Sequence, residues 1–436
     1  MSNLKLSNTR MLGVTTVLLV VTAAGCGGGK GAPGGGTAAT PSGSGDVPTS
    51  VTGTVHVLME GVPDTDIVKG LVPEFNKKYP NVKVTIDTAV YDQMRDKYVA
   101  SFTAPTAQYD LAIIDNPWMG DFAKAGFLKP LDQYIDTTSD YDYADFAQSL
   151  KAIDKVNDKI YGVPFYNYAL GLIYRKDLLP TPPATLSELA ADAKKLTTPA
   201  RAGIAMQPQR GYKAFEEWGN YLMAAGGTIY GTDGKVDIAT PQGKQALKVY
   251  IDMYKTSAPK NSLNWAFDEA LRSVSSDKST MMVSYNWMLP TLNKPGGPAG
   301  DLTGKFSLAA MPGGKQVLGS WSWAIPTNAA ADQADWAFLS WLTSKQGELQ
   351  RVLAGGAPVR TSVLSDPKVL DSKFGRDYYQ TVGEILKNAS PLCQGANCDE
   401  MITAVGTELN AAVAGQKSID DALSSAQDQA NRIQAK

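Results

Sequence analysis

"TVHVLMEGVPDTDIVKGLVPEFNKKYPNVKVTIDTAVYDQMRDKYVASFTAPTAQYDLAIID", residues 54–115, switches hydrophobic period four times. "TVHVLME" (54–60) alternates with period two, as a strand does. "DTDIVKGLVPEFNKKYPN" then reads as a capped helix, with Ile67, Leu71 and Phe75 at helical spacing. "VKVTIDTAV" is a second strand and "YDQMRDKYVASFTA" a second helix. "YDLAIID" is a third strand, continuous and apolar, as a buried parallel strand is. Strand–helix alternation of this kind specifies an α/β layer structure. In such sheets ligands sit outside the carboxyl ends of the strands. The residues at those ends are Glu60 and Asp115-Asn116-Pro117-Trp118.

The chain upstream of this unit has a different character. Residues 1–25 carry Lys5 and Arg10 and then an uncharged, largely apolar run from Met11 to Ala24. That run is short for a membrane span and matches the apolar stretch of a secretory signal. It ends in Ala23-Ala24-Gly25 followed at once by Cys26, which resembles a bacterial lipobox, with Ala23 standing where Leu is usual. The expectation is cleavage before Cys26, a lipid on its sulfur, and an extracytoplasmic protein anchored to the cell membrane. Residues 26–53, "CGGGKGAPGGGTAATPSGSGDVPTSVTG", have no apolar period and read as a flexible tether with a reach of about 30 Å. The folded body is expected from Thr54.

Composition narrows the function. The 436 residues are 43% hydrophobic and 19% charged, which is globular, and long enough for two or three domains. A net charge of −2 offers no basic footprint for nucleic acid. With Cys26 assigned to lipid, Cys393 and Cys398 remain as an even pair in "CQGANC", and export makes a disulfide the natural reading. A zinc site would need more ligands than the single histidine, His56, allows. No metal or cofactor is expected.

"GSWSWAIPTN" (319–328) sets two tryptophans two positions apart on an expected strand. Positions i and i+2 share a face, so Trp321 and Trp323 read as an aromatic wall. Trp321 lies nearer Gly319, which lets a ligand approach; Trp323 is expected to brace it from behind.

From "DKIYGVPFYNYALGLIYRKDLLPTPPATLSELAADAKKL" onward the chain resembles the sugar-binding proteins of ABC importers, extracellular solute-binding protein family 1. The other marks stand in order: "YDLAIIDNPWMGDFAKAGFLKPLDQYI", "STMMVSYNWMLP", "LGSWSWAIPTNAAADQADWAFLSWLTSKQGELQ" and "GAPVRTSVL". The resemblance covers essentially all of 54–436. It implies two α/β lobes of the periplasmic-binding type (type II) around a ligand cleft, joined by a hinge that the chain crosses more than once. The first lobe would take 54–165 and 311–350, the second 166–310 and 351–436. Crossings are expected near Pro164–Tyr168, Ala310–Pro312 and Arg351–Gly355. A monomer is expected, with the transmembrane subunits of an ABC permease as partner.

A sugar presents C–H groups on its flat faces and hydroxyls at its rim. Aromatic rings suit the first; carboxylates, Asn and Arg suit the second. On that basis the ligand-contact candidates are Glu60, Asp115, Asn116, Trp118, Tyr166, Trp218, Asn286, Trp287, Trp321, Trp323 and Arg360. For Tyr166 and Tyr168, at the first crossing, hinge packing is the rival reading, and core packing is preferred for Trp265, Trp336 and Trp341. A secreted glycoside hydrolase also combines aromatic platforms with paired carboxylates, for example Glu60 with Asp115, but nothing in the sequence marks a catalytic acid. "KPGGPAG" (294–300) lacks the strand–loop–helix context of a phosphate loop. A polyol or glycerol-phosphate-type solute is the other alternative, and a phosphate would call for more cations than Arg360.

Overall fold

The computed structural model describes residues 46–436. The signal segment, Cys26 and most of the Gly-rich tether lie outside the described residues. The end of that tether belongs to the folded body: Ser139 donates from N and Oγ to Asp46 at 2.8 and 2.6 Å, and Val51 is buried. The folded body therefore includes residues before Thr54.

The strands are β1 (Gly53–Glu60), β2 (Val82–Ala89), β3 (Leu111–Asp115), β4 (Lys155–Val156), β5 (Lys159–Ile160), β6 (Val163–Arg175), β7 (Ala202–Ala205), β8 (Ser279–Tyr285), β9 (Phe306–Ala309), β10 (Gln316–Ala324) and β11 (Ala389–Ser390). Among the described residues, the helices of nine residues or more are α1 (Pro63–Lys78), α2 (Tyr91–Thr103), α3 (Asn116–Lys124), α4 (Leu186–Leu196), α5 (Tyr212–Ala224) and α6 (Pro241–Ser257), continuing with α7 (Phe267–Ser275), α8 (Asp332–Thr343), α9 (Lys345–Ala354), α10 (Arg376–Lys387), α11 (Cys398–Val413) and α12 (Ile419–Gln434). Local chemistry sets their ends. Pro63 opens α1, with Asp64 and Asp66 in its first turn and Lys77 and Lys78 in its last, complementing the helix dipole. Thr185 and Glu188 form a capping box on α4.

The main sheet runs in the order β2-β1-β3-β10-β6-β8-β7, with β9 also on β6 and β11 on β10. The first three strands are parallel, β1 to both β2 and β3, as the opening stretch predicts. The thirteen residues of β6 are all buried. Its first half pairs antiparallel with β10, with Gly319 opposite Tyr168 and Trp321 opposite Tyr166; its second half pairs with β8 and β9. Thus β6, which contains the expected Pro164–Tyr168 crossing, runs from its pairing with β10 into its pairing with β8 and β9. The register of β6 on β10 slips between Trp321 and Ser322, leaving Phe165 unmatched. One apolar core packs β1–β3 with α1, α2, α3 and α8, and continues over β6. The other packs α4–α6, α11 and α12 around the far half of β6.

Candidate functional site

Three parallel strands deliver three polar side chains to one edge. Glu60 ends β1 and pairs with Ala89, the last residue of β2. Tyr91 follows two residues later and opens α2. Asp115 ends β3 and caps α3, its Oδ1 accepting from Asn116 N at 2.9 Å. The Tyr91 hydroxyl donates to the other Asp115 oxygen at 2.8 Å. On β10, Trp321 stands opposite Asp115. The Tyr91 ring stacks on Trp118 at 5.3 Å and meets Trp321 edge-on at 5.8 Å, while Trp118 meets Trp321 at 5.5 Å. Carboxyl and rings therefore form one unit.

The second lobe answers from α5. Glu216 lies four residues after Tyr212 and three after Lys213, so each of the two neighbours it on the helix surface. The Tyr212 ring meets Tyr91 of the first lobe at 6.4 Å. Lys213 donates to Glu216 at 2.6 Å and bonds the Tyr285 hydroxyl, which also donates to Glu216 at 3.0 Å. Tyr285 stacks on Trp287 with 6° between the rings, and Tyr168 abuts both.

The electrostatics follow from burial. Desolvation pushes the Glu60 carboxyl up to about 7, with Lys213 across the cleft pulling it down. Burial pushes Asp115 well above the usual carboxylate range; the Tyr91 hydroxyl opposes this, and the negative charges of Glu60 and Glu216 add to it. Asp115 thus feels charges from both lobes. A depression of about 760 Å³ lined by Lys124, Tyr230, Lys315 and Gln394 lies elsewhere and contains none of these residues.

The sequence candidates divide accordingly. Glu60, Asp115, Trp118 and Trp321 come together in the first lobe's wall, and Trp287 joins Tyr285 in the second's. Tyr166, fully buried, stacks on Tyr168 at 5.0 Å. Asn116 is buried, its Oδ1 accepting from Ser320 N. Asn286 donates to Asn167 O and Oδ1 at 3.2 and 3.1 Å, tying β8's end to β6. Trp323 does not stand beside Trp321: it is fully buried on Phe165 and Phe338. Two candidates stand apart from these walls. Trp218 is fully buried against Phe215 in the second core, because it lies two residues past Glu216, on another side of α5. Arg360 is 1% exposed and holds the fold: it donates to the carbonyls of Thr343, Asp142 and Tyr141, each at 2.9 Å, and lies 3.9 Å over the Phe146 ring. Sequence reasoning missed Tyr91, Tyr212, Lys213, Glu216 and Tyr285. The strand-end rule could have found Tyr91, the first helical residue after β2.

Residues 62–349 match the model of bacterial extracellular solute-binding proteins. The chain belongs to that family. A mannitol-binding protein of Pseudomonas aeruginosa is 25% identical over 412 residues, covering 87% of this chain and 93% of the relative. A probable amino-acid ABC transporter periplasmic-binding protein of Sinorhizobium fredii is 22% identical, covering 77% and 79%. Among solved structures, maltose-bound T. maritima MalE3 superimposes with a TM-score of 0.77 at 26% identity, over 86% of this chain and 98% of that one. A solute-binding protein of Agrobacterium radiobacter K84 in complex with ribitol gives 0.77 at 24%, over 88% and 99%. The expected two-lobe α/β fold of a solute-binding protein is the observed one. The family is one of extracellular binding proteins rather than enzymes.

Proposed function

We propose that this chain is the receptor of an ABC importer, capturing a neutral carbohydrate or polyol between its lobes and delivering it to the permease. In this reading a lipid on Cys26 holds it at the membrane, it acts alone as a monomer, and it performs no chemistry on its ligand. One observation carries it: Tyr91 beside Asp115 in the first lobe and Tyr212 beside Glu216 in the second meet ring to ring at 6.4 Å, and the negative charge of Glu216 acts on Asp115. Acceptors and rings from both lobes converge, as capture by hinge closure requires.

The chemistry fits a polyhydroxylated ligand. Carboxylates accept hydroxyl hydrogens strongly, and Trp321, Trp118 and Trp287 supply apolar faces for C–H groups. An anion suits the site poorly. Glu60, Asp115 and Glu216 face a single lysine, Lys213, already bonded to Glu216. One relative is named a mannitol-binding protein and two of the solved structures hold ribitol and maltose, which supports the class without choosing a member, although another relative is named a probable amino-acid transporter component.

A thermal-shift panel of D-mannitol, ribitol, maltose, maltotriose and glycerol 3-phosphate tests the reading, because a ligand of the folded state raises the midpoint with its concentration over Kd. A neutral member should raise it, with no reducing sugar released in the same wells. A shift by glycerol 3-phosphate alone, or release of sugar, overturns the proposal.

A further inference from the structure

The disulfide loop makes a contact that capture by the cleft walls does not use. Cys393 and Cys398 are bonded to each other with their Cα atoms 5.5 Å apart. The loop between them is anchored in the second lobe: the Tyr230 hydroxyl accepts from Gln394 N, and Asn397 Nδ2 donates to Ile433 O on α12 at 3.1 Å. Its outer side rests on α3 of the first lobe. A Cβ placed on Gly120 would stand 1.8 Å from Gly395 O, so only glycine permits the approach. Asn397 N donates to Asp121 Oδ1 at 2.8 Å, while Arg95 on α2 reaches the other Asp121 oxygen. Gly395 and Asn397 sit at positive φ, +96° and +56°, a course that glycine takes freely and asparagine tolerates, so the loop can turn its outer side to α3.

Helix α3 is also the element that presents Trp118 to the cleft, two residues before Gly120. Whatever fixes α3 against the second lobe therefore fixes the aromatic wall beside Asp115. We propose that the Cys393–Cys398 loop is an interlobe clasp: by seating Gly395 on Gly120 and Asn397 on Asp121 it holds α3, and with it Trp118, in the closed arrangement. The disulfide keeps the loop in the shape that docks, so closure does not have to order it each time. This rests on the hinge-closure reading above, but its test needs no sugar.

Amide hydrogen exchange of the unliganded full chain, read at single residues, reports the bond directly. In the wild type the Asn397 amide should exchange at least about tenfold slower than in Asp121→Ala, since Asp121 is its acceptor. Gly120→Ala should speed the same amide and enlarge the radius of gyration in solution scattering. Cys393→Ser/Cys398→Ser should shift both readouts in the same direction. Arg95→Leu, which removes the other partner of Asp121, should leave the Asn397 amide slow. If Gly120→Ala does not fold, the Asp121→Ala comparison decides alone. Equal Asn397 exchange in wild type and Asp121→Ala, or an unchanged amide and scattering curve in the double cysteine variant, overturns the clasp. Either result leaves the carbohydrate reading standing, because the ligand panel tests that separately.

Discussion

The Tyr91 hydroxyl donates to Asp115 Oδ2 at 2.8 Å, and the same tyrosine carries its ring to within 6.4 Å of Tyr212 in the opposite lobe. One side chain thus orients the buried carboxyl of the first wall and meets the second wall. Asp115 Oδ1 is occupied by Asn116 N, so Tyr91 governs the oxygen left for a ligand to share.

Tyr91→Phe separates these two tasks. The ring stays on Trp118 and near Tyr212, and only the donor disappears. A buried carboxylate that loses a hydrogen bond should weaken the fold by roughly 1 to 3 kcal/mol, and Asp115, freed of the hydroxyl that holds it down, should titrate higher still. The expected outcome is a lower unfolding midpoint at pH 8 than at pH 5 relative to wild type, with weaker ligand binding by calorimetric titration. A variant that melts and binds like wild type at both pH values would show that the hydroxyl does not position Asp115.

Glu60 sets a pH dependence. Its carboxyl is pushed up to about 7 in the folded protein, from an ordinary value of 4.5. A raised carboxyl pKa means the folded state holds the proton more tightly than the unfolded chain. Its contribution to stability is then fully present below about 4.5 and is lost as pH rises through 7. Asp154, Glu217 and Asp335, each pushed to about 8 by burial, act with the same sign, so the wild-type slope is not due to Glu60 alone. The difference between wild type and Glu60→Gln isolates it: the variant should lose less stability between pH 5 and 8 in chemical denaturation. Parallel curves for the two proteins would refute the assignment.

How much of this was legible beforehand follows the range of the interactions. The strands at 54–60, 82–90 and 109–115 were readable because their period is local, and the observed β1, β2 and β3 lie within two residues of them. The placement of Glu60 and Asp115 at one edge of the sheet was readable because each ends a parallel strand. Lys213 and Glu216 were not, since only hinge geometry brings α5 opposite β3. The different surroundings of Trp321 and Trp323 are not legible for a related reason. The two-residue spacing is local, but the neighbours are not: Trp321 meets α2 and α3, whereas Trp323 meets Phe165 on β6 and Phe338 on α8. The backbone carbonyls that Arg360 holds are not legible either, because a buried structural arginine and a ligand arginine look alike in sequence.

The anchor rests on Lys5, Arg10, the apolar run to Ala24, and Cys26 after it. Cys26→Ser should shift the protein from the membrane fraction to the soluble extracytoplasmic fraction, or leave the signal segment uncleaved. Fractionation with intact-mass analysis reads both. Full membrane retention with normal cleavage would exclude a lipid on Cys26.

The two tryptophans give the sharpest division between binding and folding. Trp323 is fully buried between Phe165 and Phe338, so Trp323→Ala should cost roughly 3 to 5 kcal/mol of stability as a large-to-small core change. Any loss of affinity should follow from that. Trp321 is different but not wet: it is 4% exposed, held edge-on by Tyr91 and Trp118 beside Asp115. Trp321→Ala should therefore lower the unfolding midpoint as well, by less than Trp323→Ala. Its distinguishing mark is affinity, which should fall by roughly 2 kcal/mol or more, about thirtyfold, the scale of a binding hot spot. Trp321→Phe keeps a ring in the wall and should recover much of the stability while remaining weaker in binding, since a smaller face covers less of the ligand. Calorimetric titration and thermal melts of the three variants settle the matter. If Trp321→Ala binds as tightly as wild type while Trp323→Ala does not, the roles are reversed, and the ring beside Asp115 is packing rather than recognition.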